Sequence, residues 1–249
     1  MDGAQVLLNA GTCAFTITAD EIDFFGGTSS VRGTGALVLQ PYTSTVAVQV
    51  AMGTDPGATV LAISALDVAS LADGFSSITI GSSTGTGTLT IGTTTFSDPL
   101  ILRSSAGGIV LAGDVTTSGA QTYTGAVTLT ANASVTTAGS GAVSFSSTID
   151  GAYTLNIANG ASTVTFGSSV GATTMLTGLS MTGSGGIIIT GNVSSRNNLA
   201  FTGKLTLAAD SEIYADNLIT LGNGLAAGNY VFNMFSDDVV LGEIGRAHV

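Results

Sequence analysis

The residues of this chain that could take part in catalysis are few, and most of them are acidic. The densest acidic group is Asp20, Glu21 and Asp23, and Arg32 is the nearest basic residue. Polysaccharide hydrolases and lyases use clustered carboxylates, often with a basic partner, for general acid–base chemistry. Here, apolar residues alternate with Glu21 and Asp23, which is typical of a strand with one solvated face. We therefore interpret the group as an exposed strand surface rather than a catalytic site.

Two further acidic groups lie towards the C-terminal end. Asp210, Glu212 and Asp216 carry oxygen ligands of the kind that Ca²⁺ prefers, so weak calcium binding at a corner of the chain stays open. The adjacent residues Asp237 and Asp238 are interpreted as solvated surface. The sequence has neither an Asp-rich calcium loop nor a Gly-Gly-x-Gly-x-Asp repeat, and we predict no metal site.

Nucleophilic chemistry has little support in the sequence. His248 is the single histidine, so a Ser–His or Cys–His pair would depend on one position near the end of the chain. Cys13 is the single cysteine, and we interpret it as a small buried apolar residue. Strand-forming residues follow the glycine-rich segment 81–87, where a phosphate-binding loop needs a helix. We predict no catalytic or cofactor-binding residues, and we predict that the chain is not an enzyme.

The composition disfavours several classes of partner. Charged residues make up only 8% of the 249 residues, and the formal net charge is −11. The five basic residues are scattered, so no basic patch is present to neutralise phosphates, and nucleic-acid binding is disfavoured. The acidic surface disfavours anionic membranes, and no apolar run is long enough to insert into one. Abundant glycine, serine and threonine indicate short strands with frequent turns.

Short apolar strands recur along the chain at regular distances. In each strand, two apolar residues lie on either side of a residue of any type, and a third apolar residue follows four positions after the second. The second apolar residues are at 111, 123, 145, 166, 189 and 201. A second motif, Thr-Leu-Thr or a variant, falls between them, which gives a unit of about 21 to 23 residues with glycine-rich corners. One strand cannot bury its apolar side alone. We therefore predict parallel strands stacked around one core, in an all-β solenoid of about 11 turns and on the order of 50 Å in length.

One segment has a helical pattern. Ser64 is a suitable N-cap, Asp67 is at the third helical position, and Gly74 suits the position after the helix. We predict one short helix near residues 65–73. The residues expected to pack it on the solenoid are Leu66, Ala69 and Leu71.

The chain divides into three parts. Residues 1–74 are predicted to be an irregular N-terminal part of the solenoid, and residues 75–242 a regular array of repeats. Residues 243–249 break the pattern. The codons GAG ATC GGA AGA GCA CAC GTC would encode them, and from the second base this resembles a common sequencing-library adapter. We predict that this tail is non-native and is not part of the fold.

Three segments resemble sequence motifs that recur in large bacterial filamentous-haemagglutinin-like exoproteins of the autotransporter and two-partner-secretion type. They are 33–41, 72–81 and 117–129, and the likeness covers about residues 20–235. The resemblance implies a right-handed parallel β-helix, few cysteines, secretion, and a role in adhesion or biofilm contact. The family's N-terminal secretion domain has no counterpart in this sequence, so an exported protein would carry its signal on a longer N-terminus.

We therefore predict a structural or adhesive repeat segment of a secreted or cell-surface bacterial exoprotein, which acts outside the cell as a rod-like stalk. The expected partners are glycans or proteins of a host cell or matrix, or other copies of the rod. Two alternatives stay open. Thr-x-Thr motifs, such as 93–95 and 128–130, suggest an ice-binding face, and parallel β-helices also include carbohydrate-active enzymes. A flat threonine face would favour the first, and a groove with three converging carboxylates and a base would favour the second.

Overall fold

A computed structural model describes residues 8–53, 59–139 and 141–242. Within these residues the chain winds through about 11 turns of stacked parallel strands, which confirms the predicted all-β solenoid. Each regular turn has three short strands, one on each of three faces, and each strand pairs with its equivalent one turn later. The tail at 243–249 lies outside the described residues.

Neighbouring strands of each face run parallel, and in the regular array each strand pairs with the equivalent strands of the turns before and after it. Near the N-terminus, the strand Val60–Ile63 follows the strand Ala47–Val50 in sequence but precedes it in the sheet. The first face consists of β2 (Phe15–Thr18), β4 (Ala36–Gln40), β7 (Ser77–Ser82), β10 (Leu100–Ser104), β13 (Gln121–Thr124), β16 (Val143–Phe145), β19 (Val164–Phe166), β21 (Ile187–Ile189), β24 (Leu205–Leu207) and β27 (Leu225–Ala226). The second face consists of β6 (Val60–Ile63), β5 (Ala47–Val50), β8 (Leu89–Ile91), β11 (Ile109–Leu111), β14 (Val127–Leu129) and β17 (Ile149–Asp150), and single bridges through Val170 continue it to β22 (Val193–Ser195), β25 (Ser211–Ala215) and β28 (Phe232–Phe235). The third face consists of β9 (Thr94–Phe96), β12 (Val115–Thr117), β15 (Ala133–Thr137), β18 (Thr154–Gly160), β20 (Gly178–Gly183), β23 (Leu199–Phe201), β26 (Leu218–Leu221) and β29 (Asp238–Leu241). Near the N-terminus, β1 (Leu8–Asn9) pairs with β3 (Val31–Arg32).

The core runs along the axis of the solenoid because alternate residues of the strands in the regular turns point inward. All five residues predicted to be inside are buried; they are Leu111, Phe145, Phe166, Ile189 and Phe201. They do not share one face, however, since Leu111 is on the second face and Phe201 on the third. The shorter steps of the sequence pattern, from 111 to 123 and from 189 to 201, therefore lead from one face to another and are not shortened turns.

An aromatic stack fills the middle of the core. The ring centroids of Tyr123 and Phe145 are 4.6 Å apart, and those of Phe145 and Phe166 are 5.6 Å apart. The Tyr123 hydroxyl is buried and donates to Gln121 Oε1 at 2.7 Å. The amide of Gln121 in turn donates to backbone carbonyl oxygens of β12 and β15, at 3.2 and 2.8 Å. These bonds satisfy the buried polar atoms of the two side chains and link the first face to the third.

Side chains at the corners cap the strands of the following turn. Asp114 Oδ1 accepts a hydrogen bond from the Ser134 amide at 2.7 Å, and Asn132 Oδ1 accepts one from the Thr154 amide at 3.0 Å. In both pairs the donor occupies the equivalent position one turn later. The acidic and amide residues of the corners therefore have a structural use that needs no ligand.

Glycine is required where one turn lies directly against the next. Gly81 has a φ of +93°, and a Cβ built on it would collide with the Arg103 carbonyl oxygen of the neighbouring strand. An L-amino acid with a side chain is therefore disfavoured here both by the backbone conformation and by the lack of space.

The helix α1 spans Ala65–Ser70. As predicted, Ser64 caps it: its hydroxyl accepts from the Asp67 amide at 3.2 Å, and the Asp67 carboxylate accepts from the Ser64 amide at 2.8 Å. The helix ends earlier than predicted because Leu71 is extended and bridges to Val31 of β3.

The packing side of α1 differs from the predicted one. Leu71 is buried as expected, but Leu66 is 79% exposed and Ala69 is also exposed. Val68 and the capping residue Asp67 are buried instead, because Asp67 Oδ1 accepts from the Phe24 amide at 2.8 Å and holds that side of the helix against the chain.

Candidate functional surface

The acidic group near the N-terminus consists of one hydrogen-bonded carboxylate and two exposed ones. Asp20 is engaged by Thr43, whose amide and hydroxyl donate to its two carboxylate oxygens at 2.8 and 2.6 Å. The side-chain bond from Thr43, followed by the backbone bond, lowers the pKa of Asp20 below its ordinary value. Glu21 and Asp23 are exposed, as predicted, but they do not lie on a strand, because β2 ends at Thr18. Arg32 Nε donates to the Ser29 carbonyl oxygen at 2.8 Å. Asp20 is thus a corner cap.

The acidic residues towards the C-terminus are divided among different contacts. Asp210 Oδ1 accepts from the Val231 amide at 2.9 Å, in the same cross-turn arrangement as the other corner caps. Glu212 lies on β25. Asp216 follows the last residue of that strand and acts on Tyr214. Across the described parts of the chain, no three His, Cys, Asp or Glu side chains are grouped so that they could hold a metal ion. The three carboxylates considered for calcium are therefore not brought together.

Within the glycine-rich segment 81–87, Gly81 and Ser82 are the last two residues of β7, and the remainder is a loop. It leads into β8, as predicted, and the Thr86 amide donates to the Ser44 carbonyl oxygen at 2.8 Å. Its backbone is thus bound to the preceding turn. His248 lies outside the described residues.

Cys13 is exposed, so the prediction of a buried residue was wrong. The backbone at this corner is what packs against the next turn: a Cβ at Gly35 would collide with the Cys13 carbonyl oxygen. The cysteine side chain is left on the outer side.

The Thr-x-Thr motifs are distributed over all three faces. Thr122 and Thr165 are on the first face, Thr90 and Thr128 on the second, and Thr95 on the third. A row that the motif did not predict runs along the third face, in register from turn to turn, through Thr95, Thr116, Thr136, Ala158 and Thr182. It is one residue wide, because the adjacent outward row holds Ser134, Asn156, Ser180 and Ala200. Its members come from different turns, so only an alignment of the turns could have found it.

One buried carboxyl group was not predicted from the sequence. Asp98, between β9 and β10, is only 4% exposed, and its Oδ1 accepts from the Gly74 amide at 2.9 Å. Its Oδ2 is buried and has no hydrogen-bond partner. Burial raises the pKa of Asp98, and the neighbouring Asp73 carboxylate raises it further. The group lies where the segment after α1 meets the regular array.

A second missed cluster lies on the outer side of β25 and β28. Tyr214 and Phe235 are directly paired across these strands, and they are 38% and 49% exposed. A hydrogen bond with Asp216 raises the pKa of Tyr214, and the charges of Asp216 and Asp237 add to the shift. Exposed aromatic and acidic side chains thus meet on one face.

With this geometry the chain belongs to the structural class of β-solenoids. No family model matches it, and no curated protein or solved structure is detectably similar to it. Among the described residues, no helix has the length and apolar character needed to cross a membrane.

Proposed function

We propose that this chain is a structural, rod-forming segment of a secreted or cell-surface bacterial protein, and that it acts as a stalk in adhesion or biofilm contact. The observation that carries the proposal is the unbroken ten-stranded parallel sheet of the first face, which runs from Phe15 to Ala226 around a continuous core. About 11 turns at a strand spacing of roughly 4.8 Å make a rod on the order of 50 Å long.

The physical properties of such a rod suit a spacer. Each turn contacts mainly its two neighbours, so length can be added without a new core. Pulling along the axis acts on the hydrogen bonds of three sheets in parallel. The resemblance of the segments at 33–41, 72–81 and 117–129 to filamentous-haemagglutinin-like repeats supports the same role and an extracellular location.

Binding partners of the stalk follow from the same proposal. Glycans or proteins of a host cell or matrix, and other copies of the rod, are the partners of choice, and a net charge of −11 disfavours nucleic acids. The corner carboxylates, such as Asp20 and Asp114, accept capping hydrogen bonds, which suits a structural role. The proposed role includes no catalytic step.

Two measurements test the proposal. Antibodies raised against this chain should label intact cells of the bacterium that produces it; labelling seen only after permeabilisation would exclude a surface stalk. Small-angle scattering of the purified chain should give an elongated particle with a narrow cross-section. A globular scattering profile would contradict the rod itself, so the two results separate the location from the shape.

A further inference from the structure

The last second-face strands carry an aromatic strip on their outer side. Tyr214 of β25 and Phe235 of β28 occupy paired positions, so their rings lie on strands roughly 4.8 Å apart. Earlier turns of the same face present other residue types at outward positions, namely Thr90, Val110 and Thr128, which are in register with one another. The pairing of two exposed rings is therefore a local feature rather than a property of the repeat.

Carboxylates lie beside this aromatic strip. Asp216 follows β25 and Asp237 follows β28, and both side chains are exposed. Asp216 is two positions after Tyr214 and Asp237 is two positions after Phe235, so the pairing of Tyr214 with Phe235 places the two carboxylates at equivalent positions of successive turns. Both carboxylates raise the pKa of Tyr214. The corner that holds Asp237 is fixed to the preceding turn, because the Ser236 hydroxyl donates to the Asn217 carbonyl oxygen at 2.8 Å. The rings and the two carboxylates thus form one surface, which we name the aromatic–acidic strip.

We propose that the aromatic–acidic strip binds an arginine-bearing peptide segment of a partner protein. A guanidinium group is planar, stacks on an aromatic ring and forms paired hydrogen bonds with a carboxylate. The strip offers both contacts side by side, at Tyr214 and Phe235 for stacking and at Asp216 and Asp237 for charge. Phosphate groups and acidic glycans are repelled by the same carboxylates. The proposal does not depend on the role of the chain as a stalk.

One basic residue marks the limit of the strip. Arg196 occupies the position equivalent to Asp216 one turn earlier, because Ser195 pairs with Ala215. It is exposed and repels a bound cation. Removing the Arg196 side chain is therefore expected to strengthen binding of an arginine peptide to the strip. If Arg196 only packed on the solenoid, its removal would not strengthen this binding.

The test uses fluorescence anisotropy of the whole chain with a labelled peptide that has three arginines separated by glycines. The matched peptide has glutamine in place of each arginine. The arginine peptide should bind, and its affinity should fall as salt is raised, since the Debye length falls to about 10 Å at 0.1 M. Phe235→Leu should weaken binding by roughly two- to fivefold, the range of an exposed cation–π contact, whereas Tyr214→Phe keeps the ring and retains the stacking contact.

A charge-matched pair of variants separates this surface from general acidity. Asp216→Asn with Asp237→Asn should weaken binding strongly. Asp114→Asn with Asp150→Asn removes the same charge from the corner before β12 and from the end of β17, and each asparagine can still accept the hydrogen bonds of the aspartate it replaces, so binding should change little. Circular dichroism of every variant checks the fold. Equal binding of the glutamine peptide, an equal loss in both double variants, or no binding at millimolar peptide would each overturn the proposal.

Discussion

Replacing Asp98 by asparagine is expected to stabilise the protein at neutral pH. The wild-type carboxylate is buried at 4% exposure, one of its oxygens has no partner, and Asp73 lies beside it. A buried polar atom without a partner costs about 1–3 kcal/mol. The asparagine Oδ1 can still accept from the Gly74 amide, and the new amide group can donate to Asp73. Since 1 kcal/mol shifts the melting temperature of a chain of this size by about 2–4 °C, the variant should melt roughly 2–12 °C higher at pH 7.

The raised pKa of Asp98 predicts how the stability difference between Asp98→Asn and the wild type changes with pH. The folded-state pKa of Asp98 is raised above its ordinary value of 3.8, so its favourable contribution is fully present below that value and is lost as pH rises through the folded-state pKa. Asparagine has no proton to lose. The stability difference between the variant and the wild type should therefore be small in acid and grow as the pH rises. Carboxyl groups that do not contact Asp98, including Asp20 with its lowered pKa, cancel in this difference.

Thermal melts followed by far-UV circular dichroism between acid and neutral pH measure the effect. Asp98→Ala is the control: it leaves the Gly74 amide without its acceptor and should be destabilised at every pH. If Asp98→Asn melts lower than the wild type at pH 7, the hydrogen bond from the Gly74 amide stabilises the carboxylate by more than its burial costs. That result would contradict the prediction.

Three further substitutions test the core, the close approach of turns and the corner caps, each by chemical denaturation. Phe145→Ala should cost about 3–5 kcal/mol because it empties the centre of the aromatic stack, whereas the outward Ser144→Ala should change stability by less than about 0.5 kcal/mol; similar values for the two would contradict the assigned strand orientation. Gly81→Ala should cost about 1–3 kcal/mol or more, while Gly186→Ala, with open space around the added methyl group, should be neutral or slightly stabilising. Asp114→Ala should cost about 0.5–1.5 kcal/mol by removing the acceptor of the Ser134 amide, and Asp114→Asn should restore most of the loss; no difference between alanine and asparagine would exclude the capping role.

The inward residues could be predicted from the sequence because burial in a short strand imposes a period of two. Phe145 and Phe166 were assigned to the core on that ground, and both are buried. The face on which a strand lies could not be predicted. Strands such as Ile109–Leu111 and Val143–Phe145 have the same buried–outward–buried pattern although they belong to different faces.

The candidate surfaces could not be predicted because they join residues from different turns. Pairing of Tyr214 with Phe235, or proximity of Asp73 to Asp98, follows only once the register is known. The register itself varies along the chain: the step from Val164 to Ile187 is longer than the step from Ile187 to Leu205. A fixed repeat length would therefore have aligned the wrong outward residues.

The solenoid separates the residues that determine its fold from those that can acquire a function. Inward positions such as Phe166 are constrained by the turns on both sides, so a substitution there affects several layers of the core. Outward positions on the same strands are only half-buried, and a change there usually alters stability by less than about 0.5 kcal/mol. Rows as different as the threonines from Thr95 to Thr136 and the paired rings of Tyr214 and Phe235 can therefore occur on one scaffold. It follows that specificity in this chain should be sought in outward residues aligned across turns, rather than in any contiguous sequence motif.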